Sequence, residues 1–124
     1  MTPAVENIVS LLSQMQSPDF FAREEAVRRL GNCSGDEAVT ALVFALEDPD
    51  PGIRELAADL LVKANTPTAV TQLIRCLNHE DIGARNLAAE TLLKIGKDAV
   101  PALVQAIASS KDSGVLKFIA EILG

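Results

Sequence analysis

Apolar residues recur along this chain with the spacing of helices that are wet on one side. From Ile53, the positions Leu56, Ala57, Leu60 and Leu61 follow at i+3, i+4, i+7 and i+8, one continuous helical face. Asp50 suits the N-cap of that helix, and Pro51 its first position, where a missing N–H costs nothing. Asn65-Thr66-Pro67 ends it and opens another, with Thr66 as cap and an apolar face of Val70, Leu73, Ile74 and Leu77. The same face occurs earlier as Val39, Leu42, Val43 and Leu46, where Ser34 and Glu37 stand in capping-box spacing. It occurs again as Val100, Leu103, Val104 and Ile107, after Asp98 and with Pro101 in the first turn. No stretch sustains a period of two, so strands are not expected.

These helix pairs are copies of one unit. Asp19, Asp50, Asp81 and Asp112 are spaced by 31 residues, and Arg23, Arg54 and Arg85 follow four residues behind, with Leu116 in place of the last Arg. Leu30, Leu61, Leu92 and Leu123 keep the period, as do Ala26, Ala57 and Ala88, and Gly52, Gly83 and Gly114. The pattern predicts a single domain over 1–124: a leading helix at 3–15, repeats at about 17–47, 48–78 and 79–108, and an unpaired last helix at 112–123. One helix pair cannot bury both of its apolar faces, so the copies are expected to stack. In that arrangement the Asp column caps helices and the Arg column ties neighbouring repeats together. The other reading of the Arg row is an anion site.

Composition narrows the function. Four Phe, no Trp and no Tyr leave a core of Ala, Val, Leu and Ile, suited to thin, closely packed helices. A formal charge of -6 speaks against a nucleic-acid partner, which needs clustered Lys and Arg, and against an anionic membrane surface. No run reaches the roughly 20 apolar residues of a membrane span, and the N-terminus has no signal-peptide pattern, so a cytoplasmic setting is expected. Cys33 and Cys76 form neither a disulfide framework nor a metal cluster. Both fall in columns of small residues and read as packing positions.

The stretch Leu46-Glu47-Asp48-Pro49-Asp50-Pro51-Gly52-Ile53-Arg54, with Leu56-Ala57-Ala58 and Leu61 after it, resembles the HEAT-like repeat named after the phycobilisome lyases. Leu77 to Leu92 is similar to a second copy, with Asn78 and His79 where acidic residues are usual. The resemblance implies an all-α fold, a right-handed α-α superhelix (solenoid) of HEAT-like helix pairs, first helices convex and second helices concave. It specifies fold rather than function, because such repeats serve lyases, chaperones, scaffolds and hydroxylases alike. The HEAT-like hydroxylases carry His-Glu pairs on their first helices. Here the matching positions are Arg23-Glu24, Arg54-Glu55 and Arg85-Asn86, and the only histidine, His79, lies in the turn before Asp81.

The preferred expectation is a non-catalytic protein-interaction scaffold or adaptor with no cofactor and no metal. The alternatives are a bilin lyase or chaperone acting on a phycobiliprotein, and a metal-dependent HEAT-repeat hydroxylase. On the concave side implied by the resemblance, the positions facing a partner protein are Thr40, Ala41 and Phe44, then Thr71, Gln72 and Arg75, then Ala102 and Gln105. The leading helix adds Glu6, Asn7 and Ser10, if Val5, Ile8, Val9 and Leu12 face the core. Phe44 and Arg75 are the residue types that anchor interfaces, although Phe44 also fits a core position. At the N-terminal end Glu25 and Arg29 form an i,i+4 pair on a face that is mostly apolar in later copies, as a cap would. At the C-terminal end Phe118, Ile119, Ile122 and Leu123 make an apolar stripe. This predicts a homodimer through the C-terminal helix, a docked partner, or excision from a longer repeat array.

Overall fold

The computed structural model describes residues 7–109, 116–117 and 119–121. All regular structure among them is helical, and the chain divides into two compact units, Met1–Ala64 and Asn65–Gly124.

The first unit contains α1 (Ile8–Gln14), α2 (Phe20–Leu30), α3 (Asp36–Phe44), which continues into a 3-10 turn at Ala45–Glu47, and α4 (Pro51–Ala64). Each start has a local cause. The Asn7 side chain accepts from the Val9 and Ser10 amides, Asp19 Oδ1 from Phe21 N at 3.2 Å, and Asp50 Oδ1 from Gly52 N at 2.7 Å. These contacts satisfy amides that the helices leave unpaired. The capping box expected at Ser34 does not form. The N-cap of α3 is Gly35, at φ 103, and no side chain caps it. A left-handed residue turns the chain there, so the backbone, and not a hydroxyl, sets the entry angle.

The second unit begins at Asn65, the one non-glycine residue with positive φ (42) among the described residues. Thr66 Oγ1 then caps α5 (Pro67–Cys76) by accepting from Ala69 N at 3.1 Å. Asp81 caps α6 (Ile82–Ile95). A 3-10 turn at Gly96–Ala99, opened by Gly96 at φ 76, leads into α7 (Val100–Ser109). Residues 116–117 and 119–121 are helical.

The 31-residue columns are the core. Leu30, Leu61 and Leu92 are fully buried, and so are Ala26, Ala57 and Ala88. Each buried Leu contributes about 1.5–3 kcal/mol relative to exposure, and each Ala lets a neighbouring helix approach. In the first unit α4 packs on both α2 and α3 while α1 packs on α2 and α3, and in the second α5 packs on α6 and α7.

Three expected faces are rotated or only partly covered. On α1 the buried residue is Leu11, flanked by half-buried Ile8 and Met15 at i-3 and i+4. Val9 is 72% exposed and Leu12 is exposed too. The helix is only seven residues long and has neighbours on one side, so a single row suffices. Ala41, expected to face a groove, is buried. On α7, Leu103 is buried while Val100, Val104 and Ile107 stay open to solvent.

Candidate functional site: two grooves

In the first unit a groove of about 390 Å3 opens where α3 ends, lined by Met15, Ser17, Arg23, Phe44, Asp48 and Pro49 among others. Phe44 is the last residue of α3 and stands 63% exposed. Its neighbours Leu42, Ala45 and Leu46 are buried, so the helix spends its core-facing side on them and turns the ring to water. The core alternative for Phe44 therefore does not hold. Neither Ser10, which is exposed on α1, nor Thr40, which is half-buried on α3, lines this groove.

The floor of the groove is polar and fully engaged. Arg23 Nε donates to Asp48 Oδ2 at 3.0 Å, its Nη2 to Asp48 Oδ1 at 3.4 Å, and its Nη1 to the carbonyls of Ser17 at 3.0 Å and Pro18 at 3.2 Å. Arg54 Nη1 donates to the Asp48 carbonyl at 2.8 Å. Arg23 thus ties its own entry turn to the next repeat, and Arg54 ties down the turn before its own helix. The guanidinium of Arg23 spends its donors inside the protein, which favours the scaffold reading over the anion reading. The third member, Arg85, has a buried Nε without a hydrogen-bond partner among the described residues. Asp112 lies outside the described residues.

A column that looks irregular in sequence has one structural job. Ser17 Oγ accepts from Asp19 N at 3.1 Å, Asp48 Oδ1 from Asp50 N at 2.9 Å, and His79 Nδ1 from Asp81 N at 2.9 Å. Three chemically different side chains, 31 residues apart, each accept the amide two positions on, just before a capping Asp. His79 is therefore a turn acceptor. Sequence reasoning missed the role of Asp48 and this column because it compared residue types. The available signal was acceptor capacity at fixed spacing.

In the second unit two adjoining grooves, of about 500 Å3 and 370 Å3, share Thr71, Ala102 and Gln105. One end is formed by Asn65, Thr66, Pro67, Asp98 and Pro101, the other by Ile74, Arg75, Ala106 and Ser109. Starts pair with starts and ends with ends, so α5 and α7 run side by side in the same direction. Asn65 Nδ2 donates to Asp98 Oδ2 at 2.9 Å and closes the first end. The structure thus brings Thr71, Arg75 and Gln105 together. Gln72 is half-buried and lines neither groove.

At the chain ends, Glu25 and Arg29 do pair, Nε to Oε1 at 3.0 Å, with both side chains about half exposed. The C-terminal stripe is corrected: Ile119 is 0% exposed and cannot belong to an open association surface. Phe118, Ile122 and Leu123 lie outside the described residues. Cys33 and Cys76 are half-buried, and the Cys33 thiol donates to the Arg29 carbonyl at 3.4 Å. No helix among the described residues is long and apolar enough to cross a membrane, and no group of three or more His, Cys, Asp or Glu side chains among them is placed to hold a metal ion.

Capped helix pairs with a common Asp/Arg framework and buried Leu and Ala columns define a repeat, and a family model for HEAT repeats matches residues 8–93. The chain belongs to the HEAT-repeat family. Its fold class is all-α, a solenoid of HEAT-like helix pairs. Among solved structures it is similar to human deoxyhypusine hydroxylase in complex with glycerol, with a TM-score of 0.61 and 27% identity over 96% of this chain and 43% of that one. It is also similar to the complex of CpcE and CpcF of phycocyanin lyase from Nostoc sp. PCC7120, with a TM-score of 0.51 and 31% identity over 86% of this chain and 44% of that one. The HEAT-repeat chain therefore spans less than half the length of either solved relative. No curated protein sequence matches it.

Proposed function

We propose that this HEAT-repeat chain is a non-catalytic protein-interaction module that holds a partner protein in its open grooves. The observation that carries this reading is Phe44, a large aromatic side chain left 63% exposed at the rim of a groove. Exposed aromatics beside concavities are the usual anchors of interfaces. The CpcE–CpcF structure, a complex of two chains, supports a protein as the partner class. Cross-linking of the tagged protein in native lysate, followed by mass spectrometry of the linked peptides, tests it. Partner peptides should link to α3 or α5 and be lost with Phe44→Ala or Arg75→Ala. Links confined to other surfaces, or unchanged in both variants, would overturn the assignment.

A second reading, a bilin lyase or chaperone role, is favoured by the likeness to the phycocyanin lyase complex. Against it, the chain has no Trp or Tyr to sandwich a chromophore, and within the described grooves Arg75 is the cation left for propionates. A visible-absorbance titration with a free bilin separates the readings: a red-shifted, saturable band supports the lyase-like role. The hydroxylase reading leans on the similarity to deoxyhypusine hydroxylase. It meets a chain whose single histidine, His79, is engaged as a turn acceptor. Stoichiometric iron in the purified protein would support it.

A further inference from the structure

The grooves of the second unit carry opposite charges at their two ends. Arg75 is the only charged residue of α5, and α7 has none. Arg75 is exposed at the end where Ala106 and Ser109 lie. Asp98 is exposed at the other end, and one of its oxygens already accepts from Asn65. Between them the described lining residues are uncharged: Thr71, Ile74, Ala102 and Gln105. The span from Thr66 to Arg75 is nine helical steps, about 14 Å at 1.5 Å per residue. An extended peptide covers that distance in about four residue steps, after which the side chain returns to the same face.

We infer that this trough binds a short extended peptide segment with a basic side chain at the Asp98 end and a carboxylate at the Arg75 end, separated by three small residues. The inference deepens the interaction-module reading and rests on it. The guanidinium of Arg75 takes the carboxylate through paired N–H donors, the geometry in which arginine binds planar anions best. The other carboxylate oxygen of Asp98 takes the ammonium or guanidinium. Thr71 and Gln105, both exposed in the shared middle of the trough, offer a hydroxyl and an amide to the peptide main chain. Small side chains at Ala102 and Ala106 leave room for that main chain to lie close. The helix-end partial charges oppose this polarity, but they fade within a turn and Thr66 already engages one of them. At contact distance the formal charges decide the sign.

The probe is a blocked pentapeptide, acetyl-Lys-Ala-Ala-Ala-Glu-amide, titrated into nitrogen-15-labelled protein at low salt. Acetyl-Lys-Ala-Ala-Ala-Lys-amide and acetyl-Glu-Ala-Ala-Ala-Glu-amide are the controls. Amide shifts should concentrate on α5 and α7, and the mixed-charge peptide should bind roughly fivefold tighter than either control, as two exposed ion pairs allow. Arg75→Glu or Asp98→Lys alone should remove that preference, and the double variant should restore it, because the peptide then lies the other way round. Both positions are exposed, and unchanged circular dichroism of the variants confirms the fold. Equal binding of the three peptides, shifts outside α5 and α7, no shifts at millimolar peptide, or failure of the double variant to restore the preference each overturns the inference. If Phe44-dependent cross-links to a partner persist while the peptide fails, only this inference falls. Cross-links confined to other surfaces, or unchanged in Phe44→Ala and Arg75→Ala, with intact peptide binding would instead remove the broader reading.

Discussion

Arg23 and Asp48 meet across two repeats, Nε to Oδ2 at 3.0 Å, with only 15% and 8% of their side chains exposed. Asp48 also accepts the Asp50 amide at 2.9 Å, and its carbonyl accepts from Arg54 at 2.8 Å. One short turn thus joins the end of α3 to the start of α4, and two columns of the repeat converge on it. Removing one partner strands the other in a largely dry site, which costs roughly 3 kcal/mol. Asp48→Ala is expected to destabilise more than Arg23→Ala because it also frees the Asp50 amide. Urea unfolding of the two single variants and the double variant should give a coupling of about 1–3 kcal/mol. Additive losses would show that the pair does not act as a unit.

The turn acceptors give a sharper comparison. His79 Nδ1 holds the Asp81 amide as Asp48 and Ser17 hold theirs. Replacement of His79 by Ala should cost about 1 kcal/mol, the usual worth of a helix-start contact. His79→Ser and His79→Asp should recover most of it. A thermal melt in which Ser is no better than Ala would show that the imidazole acts through another contact.

Much of the fold was legible because the repeat writes it several times over. Leu30, Leu61 and Leu92 share a burial, and Asp19, Asp50 and Asp81 share a job, so periodicity alone placed both columns correctly. The Asp caps, the Thr66 cap and the Glu25–Arg29 pair followed from spacing rules that act within one or two turns. What spacing did not supply is set by neighbours far along the chain. Val9 is exposed and Leu11 buried because α1 meets the rest of its unit along one narrow row. Ile119 lies buried although its own stretch reads as an open stripe. Of the groove residues, Phe44, Thr71, Arg75 and Gln105 line concavities, while Ala41 is buried by the packing of its own unit. A helical wheel gives the angle between two residues and says nothing of which angle faces the protein.

Two glycines should respond with opposite sign. Gly35 sits at φ 103 and ψ 164 with nothing within 4 Å of an added Cβ. Alanine there has space but an unfavourable backbone, a cost of about 1–3 kcal/mol. Gly83 lies in the first turn of α6, and an added Cβ would meet Asp81 Oδ2 at an ordinary 3.5 Å. Gly83→Ala should stabilise by about 0.5 kcal/mol, since a helical backbone loses less entropy when it starts from alanine. Melting temperatures that move the same way for both would contradict the distinction between space and conformation.

Phe44 and Leu42 differ by two positions on α3 and should separate stability from binding. Leu42 is buried at 2% exposure, so Leu42→Ala leaves a cavity and should cost about 2–5 kcal/mol. Phe44 keeps most of its surface in water, and Phe44→Ala should change stability by no more than about 0.5 kcal/mol. Chemical denaturation followed by far-ultraviolet dichroism reads both on one scale. A Phe44→Ala loss as large as that of Leu42→Ala would mean the ring is a core residue in solution, and the case for Phe44 as an interface anchor would go with it. A near-neutral result leaves a bulky aromatic side chain exposed at no folding benefit, the condition an anchor for another protein has to meet.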